Sequence, residues 1–303
     1  MIRSRRLTPI LLNKWLVDQQ LASSHACYHL RVWRENPASL MAIKDELIAY
    51  IDEAFEDARR RIRRGFEDDL SPFNNSVVDP AANFPAMLNC ITLQGYFGET
   101  LAVLAVEHWG ALGHDDWLIP AFLFRFHDQE FQHLDTINER LLTGEAFDPD
   151  QVSERRPGRT GDDGLAFRKN SENTITDILV LETKCLTRNN NTKIKEAHEK
   201  LSKGGLKPSG VRELINLLEE YDTPGAQSWQ EALLKYWQEG FRGTNRHDGV
   251  GYTCGQIPPQ TGRVAWMSAN APHPAYTTAR RLEGMEFQFE DLITVINTLY
   301  RGS

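Results

Sequence analysis

The chain has 303 residues, 41% hydrophobic and 25% charged, an ordinary globular composition with enough length for one large domain or two modest ones. Its 34 lysines and arginines face 42 aspartates and glutamates, for a formal net charge of −8. That balance excludes a protein that coats nucleic acid non-specifically, because phosphate affinity comes from Lys and Arg. It leaves room for an enzyme with a local basic rim, or one that a partner brings to DNA.

The basic start, "MIRSRRLTPILL", runs into Asn13, Lys14 and Asp18 after a short apolar stretch, unlike a signal peptide. No later segment approaches the ~18 uninterrupted apolar residues of a membrane span. Cys27, Cys90, Cys185 and Cys254 form no CxxC pair, which predicts reduced thiols in a cytoplasmic protein rather than a zinc ribbon. From Pro37, the residues Leu40, Ile43, Leu47, Ile51, Ala54, Phe55 and Ala58 recur at helical spacing, ending in the basic block Arg59–Arg64. The Pro- and Asn-rich "SPFNNSVVDPAANFP" follows, and it places a boundary near residue 85. Residues 1–85 are therefore expected to form a helical region and residues 86–303 a second domain.

That second part opens with "GYFGETLAVLAVEHWGALG", an amphipathic helix expected to begin at Gly98 and Glu99 and to stop at Gly110 and Gly113. A short apolar strand and a second helix, carrying His127 and His133, are expected from "LIPAFLFRFHDQEFQHLDTINERLLTGE". After a polar stretch, "GLAF" and "ITDILVLETKC" read as a hairpin turning on Asn170, Ser171, Glu172 and Asn173. Three helices come next, the first capped by Asn and closed by Gly204 and Gly205. The tail offers two strands, "GRVAWMS" and "EGMEFQFE", and a closing helix, "DLITVINTLYRG". This order predicts a mixed α/β domain with a central sheet flanked by helices.

The chemistry concentrates in the hairpin. Alternation puts Ile178, Val180, Glu182 and Lys184 on one face of a strand and Leu179, Leu181, Thr183 and Cys185 on the other. Both faces begin apolar, so Glu182 and Lys184 emerge where the core opens, with Asp163 at the mouth of the neighbouring strand. Two carboxylates beside an ammonium suit hard Mg²⁺ or Mn²⁺, which takes oxygen ligands and retains waters. A lysine there can orient or deprotonate the attacking water and stabilise the developing oxyanion.

Asp163, a turn, and then Glu182-Thr183-Lys184 resemble the D…(D/E)xK signature of PD-(D/E)xK, or restriction-endonuclease-like, nucleases. The upstream helix with Glu99 is similar to the first core helix of that superfamily. The resemblance implies a restriction-endonuclease-like core with helical insertions and a Mg²⁺- or Mn²⁺-dependent deoxyribonuclease. In it Asp163 and Glu182 bind metal, Lys184 serves the water, and Glu99 supports the site. One departure concerns the aspartate: where many relatives carry it after an aliphatic residue, this chain has Ala166, so Asp163 is the ligand with Asp162 as its rival. The helix after the ExK strand carries Lys195 and His198, which would border the site and touch a phosphate, within a rim that includes Lys193, Lys200 and Lys203. More loosely, the chain resembles nuclease subunits of bacterial anti-phage systems such as Hachiman, which work beside a helicase or ATPase partner.

Plainer readings stand beside each of these. Glu182 and Lys184 can be a salt bridge at a strand end, and Asp162 and Asp163 turn formers next to Gly161 and Gly164. Glu99 and the Arg59–Arg64 block can answer helix dipoles. His25 and His29, spaced four apart around Cys27, lack a fourth metal ligand nearby. The competing class is a non-catalytic structural or regulatory subunit of a nucleic-acid-sensing complex.

Overall fold

The computed structural model describes residues 7–21, 25–66, 79, 81–123, 150, 161–259 and 262–302. Helix α1 (Pro9–Trp15) runs directly into a short strand, β1 (Leu16–Asp18). β2 (Tyr28–Glu35) buries Tyr28, Leu30 and Val32 on one face by simple alternation. The region over residues 1–85, expected to be helical, also supplies two strands. β2 lies parallel to a strand at the far end of the chain, so the sheet crosses the expected boundary at residue 85. Helix α2 (Leu40–Phe66) follows the predicted stripe, and Leu40, Ile43, Leu47, Ile51, Ala54, Phe55 and Ala58 are all buried.

Helix α3 (Cys90–Trp109) starts at Asn89, whose side chain accepts the Thr92 N–H, and ends at Gly110 with φ 67°. It therefore begins well before Gly98, and Glu99 lies in mid-helix. Leu93, Tyr96, Phe97 and Leu101 through Val106 are buried on several sides, so no polar face marked its first turns in the sequence. The expected helix bearing His127 and His133 lies outside the described residues.

Then come β3 (Gly164–Lys169), β4 (Ile175–Leu186), α4 (Asn191–Lys203), α5 (Val211–Glu219), α6 (Pro224–Gln238), β5 (Asn245–Cys254), β6 (Leu282–Gln288) and α7 (Leu292–Tyr300). The described residues thus form a mixed α/β structure of seven α-helices and a six-stranded sheet in the order β1-β2-β6-β5-β4-β3. β2, β6, β5 and β4 run parallel, and the edge strands β1 and β3 pair antiparallel. β5 was not foreseen. "GRVAWMS", expected as a strand, is irregular, and its Trp266 and Met267 amides donate to the Glu286 carboxylate instead of to a neighbouring strand.

The two sheet faces carry separate cores. One joins α1, α2, α3 and α7 to Leu179, Leu181 and Met285; the other joins α4, α5 and α6 to Ile178, Val180 and Val250. Among the described residues no helix is long and apolar enough to cross a membrane.

Candidate functional site

The hairpin closes as its sequence predicts. The Asn170 side chain accepts the amides of Glu172 and Thr174, and Asn173 takes the left-handed conformation at φ 59°. Gly164 then pairs with Leu181, and the Asp163 N–H donates to the Leu181 carbonyl at 3.0 Å, extending the ladder by one bond. This register sets Asp163 beside Thr183, whose amide donates to Asp163 Oδ2 at 2.7 Å and whose hydroxyl lies 3.2 Å away.

Glu182 follows Ile178 and Val180 onto the face covered by α4 and is only 2% exposed. Lys184 Nζ donates to Glu182 Oε1 at 2.5 Å and to the Thr183 carbonyl at 3.1 Å. From α4, Lys200 pairs with Glu182 Oε2 and stands 3.7 Å from Asp163 Oδ1. Asp163, Glu182 and Lys184 therefore converge, as their spacing predicts, and Lys200 joins them.

The electrostatics follow from burial. Desolvation raises the Glu182 pKa to about 7 and the Asp163 charge adds to it, against the pull of Lys184 and Lys200. Burial works against the Lys200 ammonium, but Asp163 and Glu182 outweigh it and hold its pKa above the ordinary lysine value. Of the cluster, Glu182 is the group brought near neutral pH.

Other expected residues go elsewhere. Asp162 is turned toward the start of α5: its Oδ2 accepts the Gly210 amide and the Ser209 hydroxyl, each at 3.0 Å, and its own amide donates to Ser209 Oγ. Of the two aspartates, Asp163 faces Glu182 and Asp162 fastens the turn. Glu99 is buried on α3, the helix against the opposite sheet face, where its charge acts on Tyr300. That position corrects its placing in the first turn of a helix.

Lys195 is exposed on α4, and its charge acts on Glu199. His198 is buried, with Nδ1 2.8 Å from the Ile194 carbonyl. Burial lowers its pKa to about 4, and its ring lies against His273 and Tyr276 beside a cavity of about 420 Å³. His198 and Lys200 are two positions apart, roughly 200° around a helix, so the two lie on opposite flanks of α4. His198 thus lies on the flank of α4 away from Asp163 and Glu182, which Lys200 faces.

Lys200 was legible only as one lysine of a rim. Of the others, Lys193 pairs with Glu196 and Lys203 with Glu199. Lys200 instead reaches the hairpin, because it occupies the helix flank facing β3 and β4. In the basic block on α2, Arg59 pairs with Asp52, Arg60 with Glu56, and Arg63 with Glu56 and Asp79. His29 pairs with Glu283, which also holds Arg31 and the Leu112 amide.

Among the described residues no group of three or more His, Cys, Asp or Glu side chains is arranged to hold a metal ion. The hairpin supplies two carboxylates and no nitrogen or sulfur ligand, which fits Mg²⁺ or Mn²⁺ with retained waters and does not fit zinc. No family model matches this chain, and no curated protein matches it significantly.

Proposed function

We propose that the chain is a metal-dependent nuclease that hydrolyses DNA phosphodiester bonds, built on a restriction-endonuclease-like core. The observation that carries this reading is the convergence of Asp163 and Glu182 with the Lys184 ammonium at the β3–β4 register. Evolution of a plain structural salt bridge does not require a second carboxylate beside a buried one, because like charges raise the cost of burying both.

In this reading Asp163 and Glu182 hold Mg²⁺ or Mn²⁺. The ion would neutralise charge on the phosphate and make water more acidic. Thr183 fixes Asp163 through its amide and hydroxyl. Lys184 uses two of its three N–H donors on Glu182 and the Thr183 carbonyl. The third orients the attacking water and then stabilises the oxyanion as the water oxygen bonds to phosphorus and gives its proton to solvent, while the bridging oxygen departs and takes a proton from solvent. The superfamily resemblance adds 5′-phosphate and 3′-hydroxyl products. It also adds a setting in bacterial anti-phage defence beside a helicase or ATPase, a division of labour that suits an acidic chain by letting the partner supply DNA affinity.

A second reading has its own observation. Lys184 and Lys200 already balance the two carboxylates in charge, which is what a non-catalytic structural or regulatory subunit would need.

The test uses supercoiled and linear DNA, in Mg²⁺ and in EDTA, with the chain alone and with its partner. The nuclease reading expects Mg²⁺-dependent nicking that falls by about 100-fold or more in Glu182→Ala and Lys184→Ala, as for loss of a group acting in the transition state. No cutting by wild type under any of these conditions supports the structural reading, and normal cutting by both variants refutes the site.

A further inference from the structure

Lys200 stands in a position that the nuclease chemistry described above does not use. It reaches from α4, a separate element, to both hairpin carboxylates: it pairs with Glu182 Oε2 and lies 3.7 Å from Asp163 Oδ1. Lys184, by contrast, touches Glu182 Oε1 and a backbone carbonyl. The Lys200 ammonium is thus the one positive charge in the cluster placed between the two acids, where a divalent ion shared by them would have to sit.

The surroundings allow it to leave. The Lys200 side chain is 40% exposed, whereas Glu182 is 2% and Asp163 15% exposed. The acids are fixed, Asp163 by Thr183 and Glu182 by Lys184, so the flexible partner is the lysine. A divalent cation outcompetes a monovalent ammonium between two carboxylates on charge alone. An ammonium displaced toward solvent on a four-carbon stem stays within a few ångströms of the cluster, where the anion bound nearest the metal is the substrate phosphate.

We infer that Lys200 is a resident counter-ion of this site: it holds Asp163 and Glu182 together when no metal is bound, yields the position to the divalent ion, and then pairs with a phosphate oxygen of the nucleic acid. This rests on the metal-site reading given above. It makes Lys200 a positioning and substrate-binding residue, with two opposite effects on binding when it is removed. The carboxylates of a Lys200→Met chain lack their shared ammonium, so the metal-free protein loses stability and the metal meets no competitor. Once metal is bound, the phosphate loses a partner.

The experiment is a calorimetric Mg²⁺ titration of the full chain without DNA, for wild type, Lys200→Met and Lys200→Gln, with thermal unfolding of each in EDTA and in Mg²⁺. DNA affinity is then measured in Ca²⁺, by fluorescence anisotropy of a labelled oligonucleotide. The expected result is Mg²⁺ binding tighter by about threefold or more in both variants. Both should also melt lower in EDTA and recover more of their stability on adding Mg²⁺ than wild type does. Their DNA affinity should be weaker in Ca²⁺ and unchanged in EDTA. Wild type that binds Mg²⁺ alongside variants that bind it no more tightly overturns the inference while leaving the metal site standing. Wild type that binds no Mg²⁺ overturns both. A variant that melts lower and does not recover in Mg²⁺ assigns Lys200 a structural salt bridge and also overturns the inference.

Discussion

A carboxylate that is 2% exposed and lies beside a second carboxylate is ionised only at a cost, and Glu182 shows this in a pKa raised to about 7 by burial first and Asp163 second. The sign of its effect on stability follows. Between the ordinary pKa near 4.5 and the folded value near 7, the native chain holds a proton that the unfolded chain has lost, so stability falls as pH rises through that window. Glu182→Gln cannot ionise. Its stability relative to metal-free wild type should therefore improve between pH 4.5 and 8, by on the order of 3 kcal/mol, read from urea midpoints across the range. A flat difference would mean that Lys184 and Lys200 fully offset the burial.

The aspartates separate at the same scale. Asp162→Asn removes a charged acceptor of the Gly210 amide and Ser209 hydroxyl and should cost about 1 kcal/mol of stability while leaving metal binding intact. Asp163→Asn should abolish metal binding with a smaller loss of fold stability. Reversed outcomes in calorimetry and melting would exchange their roles. The motif Glu182-Thr183-Lys184 was readable in the sequence because alternation alone puts its charges on one face. The division of labour between Asp162 and Asp163 was not, since it depends on where Ser209 and Gly210 arrive from a distant turn.

At the scale of elements, the close approach of α3 to the sheet explains both what holds the site and what the sequence concealed. A Cβ added at Gly251 would lie 3.0 Å from Ala102 Cβ and 3.1 Å from Thr183 Cγ2, and one at Gly249 only 2.6 Å from Leu181. Glycine on β5 therefore lets α3 and the hairpin strand pack tightly behind Glu182. The same residues remove the apolar alternation by which a strand is recognised, so β5 was missed while β4, rich in Ile, Leu and Val, was plain. β2 was missed for another reason: its alternate positions His29 and Arg31 look solvent-facing, yet both are drawn to Glu283 on β6, more than 250 residues away in sequence. Gly251→Val should destabilise the chain by about 1–3 kcal/mol through overpacking. Gly205→Ala, with nothing within 4 Å, should change stability by less than about 1 kcal/mol. Equal urea midpoints for the two variants would show that α3 yields freely, and a site resting on that packing would then lose its rigid support.

Over the whole molecule, one sheet joins the N-terminal strands to the last strand of the chain, with a separate core on each face. The hairpin lies at one edge of that sheet, with α3 behind it and α4 in front, so both of its faces are held while Lys184 and Lys200 keep partial access to solvent. The mixed α/β class was legible from the order of elements. The pairing of β2 with β6 was not, because register between distant strands is set by the assembled core rather than by local pattern. Arg59, Arg60 and Arg63 pair with Asp52, Glu56 and Asp79, away from the hairpin, while Lys184 and Lys200 pair with Glu182.

In the proposed nuclease Asp163 and Glu182 together hold one divalent cation. Mn²⁺ binding followed by electron paramagnetic resonance tests this directly on wild type, Asp163→Asn and Glu182→Gln, with folding of each checked by circular dichroism. The expected result is one bound Mn²⁺ per wild-type chain, displaced by Mg²⁺, with affinity falling about tenfold per pH unit below pH 7 as Glu182 takes up its proton. Neither folded variant should bind such an ion. Wild type without bound Mn²⁺, or variants that bind it as wild type does, would rule out a cation held by Asp163 and Glu182.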